Sequence, residues 1–338
     1  MVYVTTADAT GKDFVLASGR TVSGKVTRSG GVGLEDVEVS AYDQAGEGVG
    51  GTWTGADGTY TIRGLLPGSY KLATANDQGY LDEWYDNIVY QGNWDGTGAT
   101  LVNVTATNAT NKNFLLALGR TISGTVTSSG NVPLEEVYVD AYDLAGDYIT
   151  SAWTAANGAY VLRGLLPGEY KIATDNWQGY VDEWYGPGRI LRAGNEDGIG
   201  AMAIPVVLDN ASGFDFHLQE GFTISGAVTD FSTSLALEGW EGRVEFFNAA
   251  GTSFGEYWIG PGETLYESWP LPPGTYYLRT RNNAGYMDMW WDGLLCRDYG
   301  LGDADPVDII SANAIGIDFS LCWGRSRWCK IIRHVVLT

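Results

Sequence analysis

Tyr80, Asp82 and Trp84 stand two residues apart in the stretch Gly79-Tyr80-Leu81-Asp82-Glu83-Trp84-Tyr85. The trio returns as Tyr180, Asp182 and Trp184, and again as Tyr286, Asp288 and Trp290. In an extended chain such positions share a face, so two flat rings would flank a carboxylate. That is the chemistry of a carbohydrate site: a sugar's apolar face stacks on a ring while its hydroxyls donate to an acid. The competing reading is packing, because aromatic side chains bury large areas and dominate cores. A second set, Asn76, Asp82, Glu83 and Asp86 with Asn93 and Asp95, is rich in oxygen. Calcium takes roughly 6–8 oxygen ligands, so these residues form a candidate calcium site. No EF-hand spacing accompanies them, and loop Asn and Asp usually serve turns. Asp82 and Glu83 are adjacent and would face opposite ways in a strand, so they cannot flank one glycosidic bond at about 5–10 Å. With two histidines and no CxxC, HExxH, Gly-rich phosphate loop or GxSxG elbow, the chain carries no catalytic constellation. Calcium is the one cofactor the residues raise.

These residues sit in a block that repeats. Residues 57–86, 157–186 and 263–292 align without a gap, which identifies an array of repeats. Each block opens with a period-two run such as Tyr60 and Ile62, stops at a Pro-Gly and resumes at a tyrosine. Pro67-Gly68, like Pro167-Gly168 and Pro273-Gly274, fits a type II turn with left-handed glycine. The first copy reads as seven strands: 20–27, 36–42, 49–54, 59–63, 69–75, 100–105 and 112–118. Asp43 with Gly46, and Asp57-Gly58, supply hairpin turns. Between the fifth and sixth strands runs a long excursion, about residues 78–98, of a length uncommon without a role.

Length and composition agree with this. A chain of 338 residues suits three domains of about 100 residues. Forty-seven glycines and no long helix-period run argue for an all-β protein. The net charge of −21 repels nucleic acid and anionic membranes and suits an extracellular protein. No apolar run approaches the roughly 20 residues of a membrane helix, so no membrane insertion is expected. MVYVTTADAT lacks the regions of a secretory signal. The three cysteines, Cys296, Cys322 and Cys329, avoid the first two copies, which must fold on their cores alone.

The expected division is residues 1–17, an orphan closing strand; 18–117, 118–219 and 220–321, three sandwiches, the third divergent; and 322–338, a tail with four basic side chains and no acidic one. Linkers are nearly absent, which favours a stiff rod. Residues 8–17 (DATGKDFVLA) match the closing strands at 110–118, 212–219 and 314–321. Either the chain is cut from a longer array, or this strand is donated to a neighbouring molecule.

Ser23–Thr27 (SGKVT), Leu34–Asp43, Asp57–Lys71 and Asp13–Leu16 together resemble the carboxypeptidase regulatory-like domain. The resemblance covers almost all of residues 18–321. It implies seven-stranded, transthyretin-like Greek-key β-sandwiches, often in tandem on secreted or cell-surface proteins, in a fold neighbourhood that includes starch-binding modules. Collagen-adhesin repeats, some with a Lys–Asn cross-link, are cousins. Here Thr125 and Ala227 replace Lys25, which argues against a cross-link common to the copies.

The reading is a non-enzymatic extracellular or cell-surface array, acting as a stalk or adhesion segment. Polysaccharide or another surface protein is the expected partner. The alternatives are carbohydrate binding through the excursions and self-association through residues 8–17.

Overall fold

The computed structural model describes residues 13, 18–89, 96–188, 190–193, 195–207, 209–237, 242–291, 295 and 300–324. Apart from Asp13, the expected orphan strand at 8–17 lies outside them, as does most of the basic tail. Residues 1–120 with 163–166 form one compact unit, and 121–162 with 167–338 form another.

The architecture is all-β. The first copy contains β1 (Arg20–Arg28), β2 (Val32–Gly33), β3 (Glu38–Tyr42), β4 (Gly48–Trp53), β5 (Thr59–Leu65), β6 (Gly68–Ala75), β7 (Glu83–Trp84), β8 (Ile88–Val89), β9 (Val102–Val104) and β10 (Phe114–Leu116). All seven expected strands are present, and three short ones join them. One sheet groups β10, β1, β2 and β5; the other runs β4-β3-β6-β7-β8, with β9 also on β6. The closing strand β10 lies parallel to β1, with Val26 opposite Phe114.

Alternation in β1, β3, β5 and β6 turns one set of side chains inward. Val22, Val26, Val39, Ala41, Ile62 and Leu72 are essentially fully buried and belong to one core between the sheets. Burying each larger aliphatic side chain is worth about 1.5–3 kcal/mol.

The second copy repeats the plan as β11 (Arg120–Ser128), β12 (Tyr138–Tyr142), β13 (Tyr148–Trp153), β14 (Ala159–Leu165), β15 (Gly168–Asp175), β16 (Glu183–Trp184), β17 (Ile190–Leu191), β18 (Ile204–Val206), β19 (Ala211–Ser212) and β20 (Phe216–Leu218). The third has β21 (Ser225–Asp230), β22 (Gly242–Asn248), β23 (Ser253–Ile259), β24 (Leu265–Glu267), β25 (Gly274–Asn282), β26 (Val307–Ile309) and β27 (Phe319–Leu321). Its sheets are β24-β21-β27 and β23-β22-β25-β26.

The hairpin turns form as expected: Asp43 Oδ1 accepts from the backbone N–H of Ala45 and Glu47, at 2.8 and 3.0 Å. The type II turn at Pro67-Gly68 does not form. Gly68, Gly168 and Gly274 start strands without positive φ, and the left-handed residue is Gly64, at φ 80°. Gly68 is small for another reason: a Cβ there would lie 3.3 Å from the Tyr70 hydroxyl, which donates to the Leu66 carbonyl. In the third copy Pro270 stands where Gly64 does, and its ring fixes φ near −65°. β24 accordingly has three residues against seven in β5 and β14.

One brace recurs in every core. The Tyr60 hydroxyl donates to the Lys112 carbonyl at 2.6 Å, Tyr160 does so to Phe214 at 2.6 Å, and Tyr266 to Ile317. The same carbonyl presses on β1: a Cβ on Gly24 would sit 1.9 Å from the Lys112 oxygen.

Candidate functional site

The excursion begins with an asparagine turn. Asn76 Oδ1 accepts from the N–H of Gln78 (3.0 Å) and Tyr80 (3.2 Å), while its Nδ2 donates to Asp82 Oδ1 at 2.7 Å. Asn176 with Asp182, and Asn282 with Asp288, repeat the last bond at 2.7 Å. Burial pushes the Asp82 and Asp182 carboxyls up to about 6, against the opposing hydrogen bonds from Asn76 and Asn176.

Past Asp82 the chain joins the sheet. Glu83 N–H donates to Thr74 Oγ1 (3.0 Å), and Trp84 pairs with Ala73. Two-residue strands are too short to show a period in the sequence. Among the described residues of the excursion, β7 and β8 extend the sheet.

Tyr80, Asp82 and Trp84 do not share a face, because only Glu83–Trp84 is extended strand. Tyr80 and Tyr85 pack against the inner core. Trp84 lies on the outer side of the sheet, edge-on to Tyr42 at 5.4 Å, and is 1% exposed. Trp184 lies on Tyr142 at 5.0 Å, with its indole N–H donating to the Asn195 carbonyl, and Trp290 lies on Phe247 at 5.8 Å. Both are also buried. None of the three rings offers a face to a sugar, and none caps the inner core. Of the aromatic partners, Tyr180 is half-buried and Tyr286 buried.

Of the calcium candidates, Asn76 and Asp82 bond each other, and Asp86 Oδ2 accepts from Thr100 at 3.4 Å. Glu83 is buried, and burial followed by the Asp82 charge pushes its carboxyl up to about 7. Asn93 and Asp95 lie outside the described residues. Among the described residues no three His, Cys, Asp or Glu side chains are placed to hold a metal.

Two features escaped the sequence reading. The first is a clamp on each exit strand. Leu81 N–H donates to the Ala117 carbonyl (2.8 Å) and Gly119 N–H to Gly79 (2.9 Å), with Tyr80 bridged to Leu118. Val181 to Gln219 and Gly221 to Gly179 (both 2.8 Å) repeat it, as do Met287 to Cys322 and Gly324 to Gly285 (both 3.0 Å). Backbone bonds leave no trace in side-chain types, although the recurring Gly79, Gly179 and Gly285, all at positive φ, mark the place. In the second unit the next residue, Phe222, already exchanges hydrogen bonds with Leu271 of the third copy. The chain from Gln219 to Phe222 thus passes from one copy to the next while bonded throughout.

The second feature is a tryptophan at one register position of each outer sheet. Trp53 faces Glu38, Trp153 faces Tyr138 and Trp258 faces Arg243. They are 61%, 50% and 59% exposed. Trp53 walls a cavity of about 660 Å³ with Glu35, Asp36, Asp77, Gln78 and Asp82. The recurring TWT, AWT and YWI before each DG-like turn signals the position.

Cys322 is buried and disulfide-bonded; Cys296 and Cys329 lie outside the described residues. Among the described residues no helix is long and apolar enough to cross a membrane.

Residues 21–116 and 121–185 match the carboxypeptidase regulatory-like domain. Colossin-A of Dictyostelium discoideum is 26% identical over 175 residues, covering 46% of this chain and 2% of that protein's length. Among solved structures, a streptococcal ancillary pilin aligns at 11% identity over 91% of this chain and all of its own, with a TM-score of 0.28. The Bacillus anthracis TIE protein aligns at 14% identity over 91% of this chain and 51% of its own, with a TM-score of 0.25.

Proposed function

Since residues 21–116 and 121–185 belong to the carboxypeptidase regulatory-like family, we propose that the chain is a non-catalytic module array, a stalk or interaction segment of an extracellular or cell-surface protein. The observation that carries this is the clamp. In each copy the loop after the fifth long strand hydrogen-bonds the residues by which the chain leaves. A linker tied to the body it exits is anchored at that body, which suits a segment that bears load along the chain. The disulfide at Cys322 fits an oxidising compartment.

Polysaccharide binding at Tyr80, Asp82, Trp84 and their copies would require tryptophans buried on the outer sheet to leave it. That alternative is the weaker one.

Pulling single molecules by their ends tests the proposal. Three equal unfolding steps are expected, each releasing roughly 30–35 nm for about 100 residues at 3.3–3.6 Å per residue. A single step, or gradual extension without peaks, would contradict a chain of force-bearing modules.

A further inference from the structure

We infer that the cavity beside Trp53 receives a cationic side chain, arginine or lysine, from a basic segment of a partner protein. The inference deepens the reading of the chain as an interaction module and rests on it.

The three copies supply an internal comparison. In the third, the guanidinium of Arg243 sits 5.1 Å from the centre of the Trp258 ring, and its Nε reaches Glu256 at 2.6 Å and Glu245 at 3.0 Å. This register position therefore takes a cation sandwiched between an indole face and carboxylates. In the second, Tyr138 packs on Trp153 at 3.5 Å, and Trp177 adjoins both. In the first, the cross-strand neighbour of Trp53 is Glu38, an anion that cannot serve an electron-rich ring face. Around Trp53 the surface forms the open groove described above.

Its wall is one exposed indole, and its rim carries the exposed acids Glu35, Asp36 and Asp77. No lysine or arginine lines it. The wall is the register equivalent of Trp258, while the acids come from other positions. Glu245 and Glu256 correspond to Ser40 and Gly51 in the first copy, and Glu35, Asp36 and Asp77 of the flanking loops supply the negative charge instead, with the cation left to come from outside. A neutral sugar would stack on the ring and donate hydroxyls to one or two of the acids, but carries no positive charge to balance them. A guanidinium uses both.

The test is fluorescence anisotropy of a labelled peptide of alternating arginine and glycine, titrated with the full chain in about 0.15 M salt to screen diffuse attraction. The same peptide with citrulline for arginine keeps the shape and loses the charge. Saturable binding is expected, weakened roughly 10-fold by Trp53→Ala and at least as much by citrulline, and unchanged by Trp153→Ala. Trp53→Phe should recover part of the affinity. Because Trp53 is exposed, the variants should keep the wild-type circular dichroism spectrum. Equal binding by wild type and Trp53→Ala, no binding at all, or Trp53-dependent binding of neutral cellohexaose in place of the peptide would each overturn the inference. Any of these with three unfolding steps intact refutes the cation site alone; loss of the steps refutes the module array.

Discussion

The outer sheets of the second and third copies solve one electrostatic problem in two ways. Asp140 and Glu245 occupy the same position on β12 and β22, and both are buried carboxylates. Beside Asp140 in the sheet stands Ala173; beside Glu245 stands Arg279. The second copy must therefore bring its cation from the excursion. Arg192 reaches Asp140 at 2.9 Å and Asp175 at 3.4 Å, and donates to the Thr174 carbonyl and the Tyr142 hydroxyl, both at 2.7 Å. The third copy finds its cations within the sheet: Arg279 at 2.5 Å, Arg243 at 3.0 Å and Arg281 at 3.6 Å from Glu245. Its excursion instead lays Trp290 against Arg279, 5.5 Å from ring to guanidinium.

The consequences differ in sign. Burial holds the Asp140 carboxyl above its ordinary range, with Arg192 offsetting only part. Burial also pushes Glu245 up, but hydrogen bonds from Arg279 and Arg243 bring it below its ordinary range. One arginine with a few bonds leaves the acid strained; several satisfy it. In the second copy the ion pair ties excursion to sheet, and in the third the sheet is self-sufficient.

If the inner cores are alike and only the outer faces differ, Gly124→Ala and Gly226→Ala should cost about the same, roughly 3 kcal/mol or more. A Cβ would lie 2.1 Å from the Phe214 oxygen in one and 2.2 Å from the Ile317 oxygen in the other. Urea denaturation checks this, and a large disparity would break the claim of equivalent cores.

Next in size, Arg192→Ala should cost about 2–4 kcal/mol, because it strands a buried carboxylate. It should also speed hydrogen exchange at Glu183 and Trp184. Arg243→Ala should cost less than about 1 kcal/mol, since Glu245 keeps Arg279 and Arg281. Equal costs would erase the distinction between the two faces.

The smallest expected effect is on pH dependence. Glu245 has a lowered folded pKa, so its contribution is present above the ordinary glutamate range and fades as pH falls through the folded value. Asp140 is raised in the fold, so the native state holds its proton longer and stability declines as pH rises from the ordinary aspartate range through the folded value. Glu245→Gln should flatten the acid limb of a stability–pH curve, and Asp140→Asn should remove a decline just above it. Thermal denaturation of both variants between about pH 3 and 7 reads the two opposite slopes.

Much of the fold was legible because local patterns specify it. Period-two alternation in Val22–Val26 and Val37–Ala41 requires a half-buried strand, and Asp43 and Gly46 close a hairpin with their own neighbours. The Pro-Gly expectation at 67–68 failed because glycine has two uses, positive φ and close approach, and composition does not say which applies. The site residues were legible as residues and misplaced in space: Tyr80 and Trp84 stand two steps of alternation apart, yet they pack on opposite faces because Leu81 and Asp82 between them are not strand and the alternation does not carry through.

By itself, then, the sequence determined the repeats, the inner faces and the hairpins, all of which depend on neighbours within a few residues. Only the tertiary structure decided which side of the sheet takes Trp84, that Arg192 answers Asp140 across 52 positions of chain, and that Gly79 clamps Gly119. Those outcomes depend on which strand lies beside which, and on backbone groups that are chemically the same at every residue. No side-chain pattern encodes them locally.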